Sequence, residues 1–135
     1  MITVKDVLGL VQTYDKSTMN PNDGTSCFYT APDDPSKHCI AGRLLFDLGF
    51  ELPDLEDGMN TSAFATWAEY QDLYAHFEVD AIGFIELLQF YADRSSAGIY
   101  DKAYEDYANK TGNGSWGFAI ETAIDNTEKE RGVLL

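Results

Sequence analysis

Basic residues are scarce in this chain. Nine lysines and arginines stand against twenty-three aspartates and glutamates, giving a formal net charge of −14. That deficit argues against nucleic acid as a partner. No basic patch exists to recruit a phosphate backbone, and the net field repels one. Anionic membrane surfaces are disfavoured on the same ground. Long apolar runs are also missing, since no stretch approaches the roughly 20 residues that span a bilayer. The amino end, Met1-Ile2-Thr3-Val4-Lys5-Asp6, has no basic region followed by an apolar run. No signal peptide is therefore expected, and a cytoplasmic location with reduced thiols follows. Catalytic signatures are absent too: there is no GxSxG, no Walker loop and no dinucleotide fingerprint. Neither CxxC nor HxxxH occurs, so no zinc site, and no cofactor, is expected.

What is present is enough for one folded domain. The 135 residues are 44% hydrophobic and 13% aromatic, too apolar for a disordered chain. Helical spacing recurs along the sequence. Thr3 reads as a cap for Val4, Val7, Leu8, Val11 and Tyr14, in a helix ending near Lys16. No helical period appears from Ser17 to Pro35, which predicts a long loop or a short hairpin there. Ser36 reads as the cap of a second helix with Ile40, Ala41, Leu44, Leu45 and Leu48 inward, stopped by Gly49. Thr61 or Ser62 opens a third, with Phe64, Trp67 and Ala68 inward, running on to Phe77. Asp80 caps a fourth, nearly apolar all round from Ala81 to Arg94 and so expected at the centre. Tyr100, Ala103, Tyr104 and Tyr107 mark a fifth. Ser115 caps the last, with a core face of Ala119, Ile120, Ala123 and Ile124 and a frayed end over Glu128 to Leu135. The expectation is a mainly α, single-domain bundle of five to six helices spanning residues 1–135.

Three groups of residues could carry function. The two cysteines, Cys27 and Cys39, lie near both histidines' reach in principle. Cys39 falls near the third position of the second helix, where free N–H groups favour a thiolate. His38 is its neighbour, but adjacent helical residues point about 100° apart, so His76 would have to serve as base from another helix. The functional readings are a thiol nucleophile in a cysteine-dependent enzyme, a redox pair or a metal site, and the plain reading is two small apolar side chains packing loop on helix. The second group is acidic: Asp47, Glu51, Asp54, Glu56 and Asp57 form a solvated rim, an anionic docking face or a hold for a divalent cation. The third is the tyrosine stripe of Tyr100 and Tyr104, which could join that face, because tyrosine is enriched at interfaces. The loop Asn109-Lys110-Thr111-Gly112-Asn113-Gly114 imitates a calcium loop, but Ile120 stands where its bidentate glutamate belongs, so it reads as a turn.

Two stretches together resemble small uncharacterised helical proteins of actinobacteria and their phages. The first is Cys27-Phe28-Tyr29 with Cys39-Ile40-Ala41-Gly42 and the helix ending Leu48-Gly49. The second is Gly114-Ser115-Trp116-Gly117-Phe118-Ala119. The match covers about a third of the chain. It departs from the pattern in the Tyr100 to Lys110 helix and in Thr111-Gly112-Asn113, where that group has a glutamine-aspartate pair. The resemblance implies a helical fold and a phage or mobile-element setting, and no activity. The expectation for function is an accessory protein that binds a basic host or phage protein, as an inhibitor or a nucleic-acid mimic. An enzyme built on cysteine and an assembly subunit are the alternatives.

Overall fold

A computed structural model describes residues 1–19, 39–50, 73–94 and 101–131. Among them are five α-helices and one 3₁₀ turn, with no strand beyond a single bridge. The mainly helical expectation therefore holds. The helix placed at 61–77 lies outside the described residues except at its end, where Leu73–Ala75 is a 3₁₀ turn. The loop or hairpin expected at 17–35 lies outside them from residue 20 onward.

The first helix, α1, spans Val4–Val11. Its start is a capping box: Thr3 Oγ1 accepts from the Asp6 N–H at 3.2 Å, and the Thr3 N–H donates to the Asp6 carboxylate at 2.9 Å. Those reciprocal bonds hold Asp6 below the usual carboxylate range. The helix ends at Val11, five residues earlier than expected. Thr13 and Tyr14 close instead on carbonyls three residues back, Leu10 and Val11. Tyr14 nonetheless completes the buried stripe of Val4, Val7, Leu8 and Val11.

The second helix, α2, spans Ile40–Asp47 and starts later than the sequence suggested. Its cap is Cys39, not Ser36, and Cys39 Sγ accepts from the Gly42 N–H at 3.4 Å. The helix stops as expected at Gly49, whose φ of 90° is left-handed. Gly49 N–H reaches the Phe46 carbonyl and Phe50 N–H the Leu45 carbonyl, the paired bonds of a Schellman ending.

The central helix, α3, spans Val79–Arg94, beginning one residue before Asp80, which occupies the first turn rather than the cap. It packs on α1, α2 and most extensively on the last helix. Its Ala81, Ile82, Phe84, Ile85, Leu88 and Ala92 are all buried. Fully burying one such large side chain is worth about 1.5–3 kcal/mol, so this helix organises the core. Gln89, the polar residue within that face, is fully buried, and its Oε1 accepts from the Ala41 N–H at 3.2 Å. It supplies α2's amino end with an acceptor that α2 lacks. Before α3, Ile2 pairs with the 76–78 backbone. Its N–H donates to the His76 carbonyl, and its carbonyl accepts from Glu78.

The fourth helix, α4, spans Lys102–Thr111, capped by Asp101 and closed by Gly112 at φ 77°. The fifth, α5, spans Ser115–Arg131, so the end expected to fray from Glu128 stays helical to Arg131. Ser115 is inside the helix and buried, alongside Trp116, Phe118, Ala119, Ile120 and Ala123. Phe118 anchors α4, with Tyr104 and Tyr107 rings edge-on to it at 5.6 and 5.7 Å. No described helix is long and apolar enough to cross a membrane.

Candidate functional site

The amino end of α5 meets the turn that follows α1. Asp15 Oδ1 accepts from both the Ser17 N–H (2.9 Å) and the Ser17 hydroxyl (2.7 Å), which tightens residues 15–18. Those two bonds hold the Asp15 carboxyl below its usual range. The tightened turn aims carbonyls at α5. Lys16 O accepts from the N–H groups of Gly114 and Gly117, and Thr18 O from that of Trp116. These are donors that an α-helix leaves unmet at its start. The approach is so close that a Cβ at Gly114 would lie 2.5 Å from the Ser17 carbonyl oxygen. One at Gly117 would lie 2.8 Å from that of Lys16.

This junction places Trp116 beside Tyr14, with ring centroids 5.4 Å apart. The Tyr14 hydroxyl donates to Asp47 Oδ2 at 2.7 Å. Arg43 Nε donates to the same oxygen at 2.8 Å, and its guanidinium lies over the Tyr14 ring at 5.2 Å from the centroid. Arg43 and Asp47 are one helical turn apart on α2, the spacing at which such pairs meet. Burial, then the hydrogen bond and charge of Asp47, push the Tyr14 phenol far above its ordinary range, with Arg43 opposing. Tyr14 is therefore a fixed donor and not a proton carrier near neutral pH.

Between these groups lies a cavity of about 290 Å³. Among the described residues it is lined by Thr13, Tyr14, Asp15 and Thr18 of the turn, by Arg43 and Asp47 of α2, and by Trp116 of α5. Its wall mixes one cation, two carboxylates and two aromatic rings. The indole Nε1 of Trp116 is buried without a hydrogen-bond partner.

The residues singled out from the sequence fall elsewhere or take other roles. Cys39 is fully buried and disulfide-bonded, so the expectation of a reduced thiol is not met there. Nor does it occupy the third helical position, being the cap itself. Cys27 and His38 lie outside the described residues. His76 is exposed, with its ring edge-on to Phe50 at 5.5 Å. Phe50 follows the far end of α2 from Cys39, about 12 Å of helix rise away. Asp47 is exposed at the end of α2, and its Oδ2 accepts from Arg43 and Tyr14. Tyr104 is half-buried, with its hydroxyl 3.4 Å from Met19 Sδ. Glu51, Asp54, Glu56, Asp57 and Tyr100 lie outside the described residues. Of the asparagine-glycine segment, Asn109, Lys110 and Thr111 close α4, and residues 112–114 connect it to α5. Thr111 Oγ1 donates to the Tyr107 carbonyl, and Asn113 Nδ2 donates to the Tyr107 hydroxyl at 2.9 Å. Among the described residues no group of histidine, cysteine and carboxylate side chains could hold a metal ion.

Sequence reasoning missed Arg43, Thr13, Asp15, Thr18 and Trp116 as one constellation. The signals were a lone arginine inside the apolar run Ile40 to Leu48, a carboxylate four residues on, and glycines flanking Trp116. No protein-family model matches the chain, and no curated protein or solved structure matches it.

Proposed function

We infer that this chain is a small acidic helical binding module, an accessory protein of the phage type whose partner is a cationic protein of host or phage. The single observation that carries the reading is the distribution of charge. Residues 20–38 and 51–72 hold nine of the acids and one of the bases, Lys37. Within the helices the bases are largely spent on nearby acids. Lys16, Arg43, Arg94, Lys102 and Lys129 pair with Glu121, Asp47, Asp101, Asp106 and Asp125. Glu51, Asp54, Glu56 and Asp57 concentrate four acids within seven residues of sequence, and a field of that sign accelerates encounter with basic surfaces. The buried, oxidised Cys39 favours this reading over a cysteine enzyme, since a disulfide sulfur carries no thiolate nucleophile. It also favours an oxidising setting over the reducing cytoplasm. The proposed role as inhibitor or nucleic-acid mimic follows from the sign of the field, which duplicates that of a phosphate backbone.

The test begins with capture on the immobilised full chain at low salt and identification of the captured protein. That protein is then titrated against the wild type and the variant Glu51→Gln, Asp54→Asn, Glu56→Gln, Asp57→Asn. The expected result is a basic partner whose affinity falls at least about tenfold when salt rises from roughly 50 to 200 mM, with a comparable loss in the variant. Capture of nothing at low salt, or affinity indifferent to both salt and the four substitutions, overturns the reading. A defined self-assembly in sedimentation with no partner would instead support an assembly subunit.

A further inference from the structure

The cavity between α2 and the 15–18 turn has a hydrogen-bonding inventory that the fold leaves half used. Asp47 Oδ2 takes both of its bonds, from Tyr14 and Arg43, leaving Oδ1 open. Arg43 spends only Nε, leaving its terminal amino groups open. Asp15 Oδ1 takes both bonds from Ser17, leaving Oδ2 open. Among the described residues the Thr18 hydroxyl makes no hydrogen bond, and Trp116 lines the space while its indole N–H is sealed in packing without an acceptor. Open donors and open acceptors therefore face one small space.

Charge decides what fits. A simple anion would meet Arg43 but would enter against the field of a −14 molecule and the carboxylates of Asp15 and Asp47. A simple cation would satisfy those carboxylates but make no use of the Arg43 amino groups or the Thr18 hydroxyl. A neutral molecule carrying both charges meets both halves at once and is indifferent to the net field. Drug-sized ligands take pockets of about 300–1,000 Å³, so a cavity of about 290 Å³ suits something smaller. The tyrosine and tryptophan rings leave room for a modest apolar group beside the polar ones.

We propose that this cavity binds a small zwitterion of the α-amino acid class, its carboxylate on Arg43 and Thr18 and its ammonium on Asp15 and Asp47. The planar, forked guanidinium suits a carboxylate partner. Its carboxylates, Asp15 and Asp47, are not among the four acids substituted in the test of the protein-binding reading, so the two tests can fail separately. It gives the chain a second kind of ligand.

Tryptophan fluorescence reads it directly. The chain has two tryptophans, and the full chain with Trp67→Phe leaves Trp116 as sole reporter in the cavity wall. The probes are the common L-α-amino acids, each beside its amide, which lacks the carboxylate, and its des-amino acid, which lacks the ammonium. At least one amino acid is expected to give a saturable change with Kd of about 1 mM or tighter. Its amide and its des-amino acid should each bind about tenfold or more weakly. Asp15→Asn, at an exposed position, should weaken binding while leaving the circular dichroism spectrum unchanged, and Arg43→Lys should weaken it by removing the fork. If the tryptophan variant does not fold, calorimetry on the wild type makes the same comparison. The proposal is overturned if no amino acid saturates below about 10 mM. It is equally overturned if an amide or a des-amino acid matches its parent, which would mark a plain cation or anion pocket.

Discussion

Tyr14 joins three parts of the molecule with one side chain. Its backbone ends α1, its ring separates Arg43 from Trp116, and its hydroxyl holds Asp47. The bond to a carboxylate at 2.7 Å in a half-buried setting is worth more than a neutral pair in the same place. Tyr14→Phe keeps the ring and deletes the donor. It is expected to lower stability by about 1–2 kcal/mol, read as a lower urea midpoint with an unchanged slope. Asp47 keeps Arg43, so the loss should stay below that of removing both partners. An unmoved midpoint would show that the hydroxyl contributes nothing to holding α1 on α2. The sequence placed Tyr14 on the buried stripe by spacing alone. It could not reveal the hydroxyl's partner, because Asp47 is 33 residues away and looked like one acid among many.

The glycines of the elements behave in two opposite ways. Gly114 and Gly117 sit where the 16–18 backbone is pressed against α5, and a Cβ has no room at either. Gly9 and Gly83 lie in helices with nothing within 4 Å of an added Cβ. Gly117→Ala is expected to destabilise by about 1–3 kcal/mol, since carbonyl backbone cannot yield as a flexible side chain does. Gly83→Ala is expected to stabilise by about 0.5–1 kcal/mol, since glycine in an open helix interior costs that much. Thermal or urea unfolding of the two variants side by side checks the sign of each, and a matching sign would refute the docking account. Most of the helices were legible from apolar spacing. Val4, Val7, Leu8 and Val11, and then Ala119, Ile120 and Ala123, all lie in the core as read. The boundaries were less so. Cys39 caps with sulfur where an oxygen-bearing serine three residues earlier looked better, and Gln89 caps α2 from another helix. Such long-range caps leave no local trace. The cavity was illegible for the same reason, as its walls come from the α1 turn, α2 and α5, which no sequence window contains together.

At the scale of the whole molecule, twenty-three acids and nine bases must share one small surface. Among the described residues five ion pairs answer part of that excess, and most are well exposed, where each is worth little. Net repulsion therefore opposes the folded state. Raising sodium chloride from about 10 to about 150 mM shortens the screening length from roughly 30 to 8 Å. The urea midpoint is expected to rise over that range, and the same salt should weaken a cationic partner. A midpoint that falls would show that attractive pairs outweigh the surplus. The order of assembly carries a different consequence. The carbonyls that complete the start of α5 belong to residues 16 and 18, nearly a hundred positions earlier in the chain. Ile2 likewise waits for residues 76–78. Closing a span that long carries an entropic cost that grows slowly with its length, and it cannot be recovered until both ends have been synthesised. A ribosome-bound chain that has released α1 but not yet α5 holds those carbonyls uncommitted, so that seam can shut only after α5 has emerged.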